Sequence, residues 1–419
     1  MSDGPDTGTN DGPDTRTGKG PLTGIRVLEV AMYGFVPSAG AVLADWGADV
    51  IKVEHAVNGD PQRGLRQTGT FKVEGDPNPN VEHANRGKRS IGLDMARPEG
   101  MEVLYDLARR SDVFLTSFLP SARRKFGIDV DDIRSVKPDI VYARGSALGP
   151  RGQEAEKGGY DMTAFWARAS TAASLTPSGT EGMISPPAPA YGDTISGTNL
   201  AGGIAAALLK RERTGEPSVV DVSLLGSGVW AMGHGIALSL HLDRAWVPPP
   251  AGAHGSPTNP LSGVYRTADD RYLAFVMMQP GKFWADVCRH IGRPELAEDP
   301  RFATAEQIAA NTEEAVKILR EVLAGRTLTE WTERFATLAG PWAPVQDSLQ
   351  VGSDPQVRAN EYIVRAGELE LAANPVQFDV GAPQLGPAPG FAAQTEEILM
   401  ELGMDWDRIL TLKAAGAVT

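Results

Sequence analysis

Short apolar runs alternate with segments of helical period from residue 25 onward, and that rhythm dictates a parallel sheet. Ile25–Val30 reads as a buried strand, Val36–Trp46 has the apolar spacing of a helix, and Asp49–Val53 is a second strand ending at Glu54. Two strands joined through a helix run parallel. The pattern continues with a helix over Pro98–Arg110, opened by its proline. A strand over Val113–Thr116, a helix over Val130–Val136 and a strand over Ile140–Ala143 follow. This alternation predicts an α/β fold, an open sheet with helices on both faces.

The rest of the chain breaks that rhythm. From Asp161 to about Trp246 the pattern is mostly helical, with one short strand near Val219–Val222. Trp246–Pro260, rich in proline and glycine, reads as a linker or surface loop. Gly263–Met277 alternates like a β-meander, and helical stretches follow over Gly281–His290, Glu313–Leu323 and Thr327–Leu338. Short strands and loops come after Pro344, then helices over Thr395–Leu402 and Trp406–Ala415. Residues 1–20, where DGPDT occurs twice, hold almost nothing to bury and are expected to be disordered. The expected division is a tail at 1–20, a large domain beginning at 21–225, a linker and smaller α+β domain at 226–344, and a return to the large domain at 345–419.

Charge and cysteine content exclude several classes. A net charge of −13 argues against nucleic acid, whose phosphates need a basic field. One cysteine, Cys288, excludes an internal disulfide and any multi-cysteine metal site. The apolar run at Leu200–Leu209 falls short of the ~20 residues that span a bilayer. A cytoplasmic protein with no membrane partner is expected.

Several residue groups could carry chemistry. The turn after the first strand, Ala31-Met32-Tyr33-Gly34-Phe35-Val36-Pro37, lacks the glycines that admit a pyrophosphate, so a nicotinamide dinucleotide is not expected. Asn85-Arg86-Gly87-Lys88-Arg89-Ser90 gathers three cations, and Arg123, Arg124 and Lys125 form a second group. Each group reads as a solvated face or as a phosphate clamp. Tyr191-Gly192-Asp193-Thr194 precedes a helix rich in small residues. Asp193 is either a plain helix cap or an anion stabilised by the helix terminus and competent as a nucleophile. Gly192 before it would let a substrate come close. Asp161, after Gly158-Gly159-Tyr160, is a cap or a second carboxylate. The six histidines are scattered, so no metal is expected. Trp230, Met232, Met277 and Met278 read as core rather than substrate pocket.

Together these stretches resemble the class III CoA-transferase family, which includes formyl-CoA transferase, carnitine CoA-transferase and the related α-methylacyl-CoA racemases. The resemblance is carried in order by PLTGIRVLEV at Pro21–Val30, LADWGADVIKVE at Leu43–Glu54, NRGKRSIGLDM at Asn85–Met95, GDTISG at Gly192–Gly197 and TEEILMELG at Thr395–Gly403. It implies a Rossmann-like large domain with a smaller α+β domain, in a homodimer of interlocked rings. It also implies acyl-CoA and a carboxylic acid as substrates, with no permanently bound cofactor.

Asp193 falls where the family's transferases carry the aspartate that attacks the thioester. The implied course is an aspartyl mixed anhydride, then an aspartyl-CoA thioester, then the acceptor's own anhydride and its CoA ester. Among implied CoA contacts, His55 stands where relatives often have arginine, and Leu93 matches an adenine-side position. Phe118 matches an aromatic beside the CoA, Lys125 a basic phosphate contact, and Arg89 lies in the shared KRS string. The racemases carry a histidine before the first aspartate. Here that residue is Tyr160, a poor base at neutral pH with its ordinary pKa near about 10. Transfer is therefore favoured over the alternatives, an α-methylacyl-CoA racemase or epimerase and a non-catalytic acyl-CoA binding protein. Gly252–Pro260 is glycine-poor beside formyl-CoA transferase's loop, and Ala392-Ala393-Gln394-Thr395 replaces its usual GEHT, so the oxalate and formate pair is not expected.

Overall fold

The computed structural model describes residues 20–379, 381 and 384–419. Apart from Gly20, the tail expected over 1–20 lies outside the described residues. The chain forms two compact units. The first takes the described residues through Leu175, then Ile184–Trp246 and Arg358–Thr419; the second takes Thr176–Met183 and Val247–Val357. Both boundaries differ from those expected at 226 and 344. Residues 226–246 stay with the first unit, where Gly228 packs so tightly that an added Cβ would lie 2.5 Å from the Ala169 methyl. Beyond 344 the second unit continues, because the Val345 N–H donates to the Tyr272 carbonyl at 2.9 Å and extends a strand pairing.

The first unit is built on six strands: β1 (Arg26–Val30), β2 (Asp49–His55), β3 (Arg89–Leu93), β4 (Val113–Thr116), β5 (Val141–Ser146) and β6 (Val219–Ser223). All pair in parallel, in the order β3-β2-β1-β4-β5-β6. This is the doubly wound order, and its direction reverses between β1 and β4, where such sheets open a crevice beyond the strands' carboxyl ends.

Helices cover both faces: α1 (Phe35–Asp45), α2 (Pro98–Arg109), α3 (Pro120–Phe126), α4 (Tyr191–Thr214) and α5 (Leu224–Ala231), while α6 (Gly233–Leu242) follows α5 away from the sheet. On one face Val36, Ala39 and Leu43 of α1 pack with Leu200 and Ile204 of α4. Gly197 allows that approach, since a Cβ there would sit 2.7 Å from the Ser38 Cβ. On the other face Leu104 and Leu107 of α2 join Ile398 and Ile409 of the C-terminal helices. Residues 176–190, within the stretch expected to be mostly helical, carry no helix. Pro177, Pro186, Pro187 and Pro189 remove the N–H groups a helix would need there.

The second unit holds an antiparallel sheet of β7 (Ser262–Arg266), β8 (Tyr272–Val276) and β9 (Trp342–Pro344), with β8 central. Helices Pro280–His290, Thr312–Leu323 and Leu328–Arg334 accompany it, and Phe275, Trp284, Trp331 and Phe335 fill its core. Met277 is fully buried as expected, but Met278 is 79% exposed. In the first unit Trp230 is 80% exposed, not core, and α6 beside it buries none of its residues. Among the described residues no helix is long and apolar enough to cross a membrane.

Candidate active site

The crevice at the reversal point is bounded by the segments that follow β1 and β4. After β1 the chain turns at Ala31–Gly34 before entering α1. Tyr33 takes φ 65°, a left-handed conformation that is uncommon for a bulky residue. Three tethers hold it. The Lys52 Nζ donates to the Ala31 carbonyl at 3.0 Å, the Met32 N–H to the Ser117 Oγ at 3.1 Å, and the Tyr33 N–H to the Asp60 Oδ1 at 3.2 Å. Beyond the turn, Gly34 faces α4, where a Cβ would come within 2.5 Å of the Asp193 Oδ2. The missing side chain is what lets that carboxylate lie against the backbone.

Asp193 sits in the first turn of α4, but it is not the helix cap. The cap position is Ala190, at φ 52° and without a side-chain hydrogen bond. The Gly192 N–H donates instead to the Oδ2 of Asp161, at 3.0 Å. Gly192 therefore makes room for Asp161 and Phe165, not for a substrate: a Cβ there would lie 2.4 Å from each. The other Asp161 oxygen is buried without a partner. Asp193 itself is half-buried, and among the described residues its carboxylate has no hydrogen bond or ion pair. Burial foremost, then the charge of Asp161, pushes its carboxyl up to about 7. The helix terminus does not keep this group strongly acidic, as its place in the sequence suggests, because desolvation outweighs the dipole. Burial also raises the Asp161 carboxyl, against the backbone N–H groups of Gly192 and Asp193. A carboxylate in this state is more basic than one in water and free to form a bond.

Asp193 opens onto a cavity of about 900 Å³ whose walls are mostly apolar, among them Phe35, Val36, Leu119, Leu148 and Leu224, with Lys157 and Arg168, both paired to Glu154, at its edge. A smaller cavity of about 250 Å³, bounded by His55, Leu93, Asp94 and Met95, shares Met32, Phe118 and Phe126 with it. The two therefore meet at the Met32–Phe118 wall.

Most of the residues singled out in the sequence line these two spaces. Tyr160 is 62% exposed on the larger cavity, its ring edge-on to Tyr33 at 5.6 Å. Its hydrogen bond is the main cause of the raised Tyr33 hydroxyl. Leu93 is buried in the smaller cavity, and Phe118 lies at the junction. His55 lines the smaller cavity too. Its Nδ1 accepts the N–H groups of Val57 and Asn58 at 3.1 and 3.3 Å, which leaves Nε2 as the ring's donor. Lys125 is exposed at the end of α3, its Nζ 5.4 Å from the Phe126 ring centroid.

Arg89 is elsewhere. It begins β3, whose other end, Leu93, reaches the cavity about 13 Å away at ~3.3 Å per residue. Its guanidinium is taken by Asp49 at 2.8 Å and by Glu401 at 2.6 Å. Its neighbours are also used internally: Arg86 pairs with Asp45 at 2.7 Å, and Lys88 with Glu29 at 2.7 Å. The run over 85–90, read from sequence as a solvated face or a phosphate clamp, is neither: its cations are internal struts. Of the second group, Arg123 pairs with Asp129 and Arg124 with Glu156.

Sequence reasoning missed Lys52 and Asp60. For Lys52 the signal was present, since Glu29 and Lys52 are charges inside strands otherwise apolar enough for double-sided burial. Register pairs these two side by side.

The family model described as CoA-transferase family III matches residues 22–394. The chain is 30% identical to (R)-2-hydroxy-4-methylpentanoate CoA-transferase of Clostridioides difficile, over 95% of this chain and 99% of that protein. It is 30% identical to cinnamoyl-CoA:phenyllactate CoA-transferase of Clostridium sporogenes, over 91% and 93%. Among solved structures, a CaiB/BaiF family protein from Brucella suis superposes with a TM-score of 0.78 at 26% identity, covering 91% of this chain and 99% of that one.

Proposed function

The chain belongs to CoA-transferase family III and is a CoA-transferase; on that premise we propose that Asp193 is its covalent nucleophile and that its acids carry apolar chains. The observation that carries this reading is the Asp193 carboxylate, half-buried, unpartnered among the described residues and open to an apolar cavity.

The CoA nucleotide takes the smaller cavity, with Leu93 against the adenine, His55 donating through Nε2 and Lys125 at the phosphates. Its pantetheine arm passes Phe118 into the larger space. The Asp193 carboxylate attacks the thioester carbonyl, the carbon–sulfur bond breaks, and CoA leaves as thiolate. The thiolate then attacks the aspartyl carbonyl of the mixed anhydride, releasing the donor carboxylate and leaving an aspartyl-CoA thioester. The acceptor carboxylate attacks that thioester, and the freed thiolate attacks the acceptor's acyl carbonyl. A new acyl-CoA forms and Asp193 returns to a carboxylate. Each intermediate keeps an activated acyl bond, so no nucleotide triphosphate is consumed provided water is excluded. Asp161 favours the first step: its charge opposes an anionic Asp193 and ceases to oppose it once acylated.

The walls of the larger cavity support apolar acids, and the substrates named for the two relatives above are of that kind. The bare face of α6, with Leu240 79% and Leu242 60% exposed beside Trp230, supports an interlocked homodimer.

The test is exchange of CoA from an alkyl or aryl acyl-CoA to a panel of carboxylic acids. Transfer to branched or aromatic acids, abolished by Asp193→Ala in a protein that stays folded, is expected. An active Asp193→Ala variant would refute the nucleophile, and transfer confined to small dicarboxylates would refute the substrate class.

A further inference from the structure

Beneath the Ala31–Gly34 turn lies a cluster of four charges with almost no access to solvent: Glu29, Lys52, Asp60 and Lys88. Lys52 Nζ meets Asp60 Oδ2 at 2.8 Å and Glu29 Oε1 at 3.3 Å. Lys88 Nζ meets Glu29 Oε2 at 2.7 Å. Two cations balance two carboxylates. A buried pair of this kind is weak evidence for stability, since apolar residues of similar volume often do as well. Its placement suggests another use. Lys52 holds the carbonyl of Ala31, and Asp60 holds the N–H of Tyr33. The two members of one ion pair thus grip both sides of Met32. The grip fixes a residue at φ 65°, and the next residue, Gly34, is the one against which the Asp193 carboxylate lies. Strained backbone persists where its surroundings over-determine it.

We infer that the buried Lys52–Asp60 pair is a positioning device for acyl transfer: it sets the 31–34 turn so that the Gly34 backbone holds Asp193 in its attacking orientation. Neither residue touches the reacting atoms: Asp60 borders the smaller cavity but is 3% exposed, with its carboxylate turned to Lys52 and the Tyr33 N–H. The inference rests on Asp193 being the nucleophile. Loosening the turn misplaces the carboxylate by a fraction of its reach to the thioester, and a shift of about 1 Å can slow a reaction roughly a hundredfold.

The test uses the full chain and measures kcat and KM for transfer from a donor acyl-CoA, melting temperature, and the Asp193 adduct trapped by hydroxylamine. Asp60→Ala is expected to lower kcat by about a hundredfold while moving donor KM by less than about threefold. Asp60→Asn keeps an acceptor for the Tyr33 N–H but not the charge for Lys52, and falls between. With Tyr33→Gly as the background, the left-handed turn no longer needs holding, and the Asp60→Ala effect on kcat shrinks by about tenfold. A role in stability alone would lower the melting temperature and leave the rate per folded molecule unchanged, which overturns the inference. So does a loss that lies wholly in KM, or an effect of Asp60→Ala that glycine at 33 does not reduce. Should Asp60→Ala fail to fold, Asp60→Asn decides, and wild-type kcat there is the contrary result. Absence of any Asp193 adduct in the wild-type chain sinks the reading on which the inference stands. A wild-type adduct with an unimpaired Asp60 variant sinks the inference alone.

Discussion

Asp161 accepts the N–H of Gly192 at 3.0 Å, one residue before Asp193, whose own carboxylate has no partner among the described residues. One acid therefore anchors the turn that presents the other, and its charge bears on the other's protonation.

That relationship sets the pH dependence. Asp193 is pushed up to about 7, by burial first and Asp161 second. The attacking form is the anion, so the transfer rate should fall as pH drops through about 7. Asp161→Asn removes the smaller cause and should move that acid limb to lower pH, burial remaining. The pH profile of kcat/KM for the donor measures it. A limb that stays in place would show that Asp161 does not sense the charge of Asp193.

The same shift has a stability sign. A carboxyl whose folded pKa is raised favours folding when protonated, and that contribution is lost as pH rises through the folded value. Asp193→Asn should therefore raise the melting temperature at pH 8, by on the order of 1–2 °C. The gain should fade as the pH is lowered from about 7 toward the unfolded value near about 4. Thermal melts across that range check it.

Gly34→Ala tests the closeness of the turn to Asp193. Its Cβ would fall 2.5 Å from Oδ2, so the carboxylate must swing away. A roughly hundredfold loss of kcat with a folded protein is expected, because the nucleophile's orientation is what changes. Arg89→Ala is the counterpart. Its guanidinium is engaged by Asp49 and Glu401 away from both cavities, so donor KM should stay within about twofold.

Lys88→Met leaves Glu29 buried with only the longer 3.3 Å contact to Lys52. Loss of one partner of a buried pair costs about 3–5 kcal/mol, and denaturant unfolding should read a change of that order.

Much of the fold was legible because its signals are local. The strand at Val113–Thr116 and the helix at Val130–Val136 fall where the pattern places them. The break at 176–190 was missed because the helical period of the segments on either side was extended across it, although its four prolines, two glycines and hydroxyl residues all disfavour a helix. Within the site, Asp193, Tyr160, Leu93, His55 and Phe118 all reach the two cavities, since each sits at a strand end or a helix start. Arg89 did not, because a cationic run says nothing about which carboxylates the sheet register brings beside it. Lys52 and Asp60 were missed for a related reason. Their partners are 8 residues apart in sequence but meet only through the packing of a turn against β2, which no local pattern records.

The most direct measurement is peptide mass spectrometry of the chain incubated with an apolar acyl-CoA and hydroxylamine. Conversion of Asp193 to its hydroxamate, dependent on the acyl-CoA, is the expected result. An unmodified Asp193 in a preparation that transfers CoA, or a hydroxamate on another carboxylate, would contradict it.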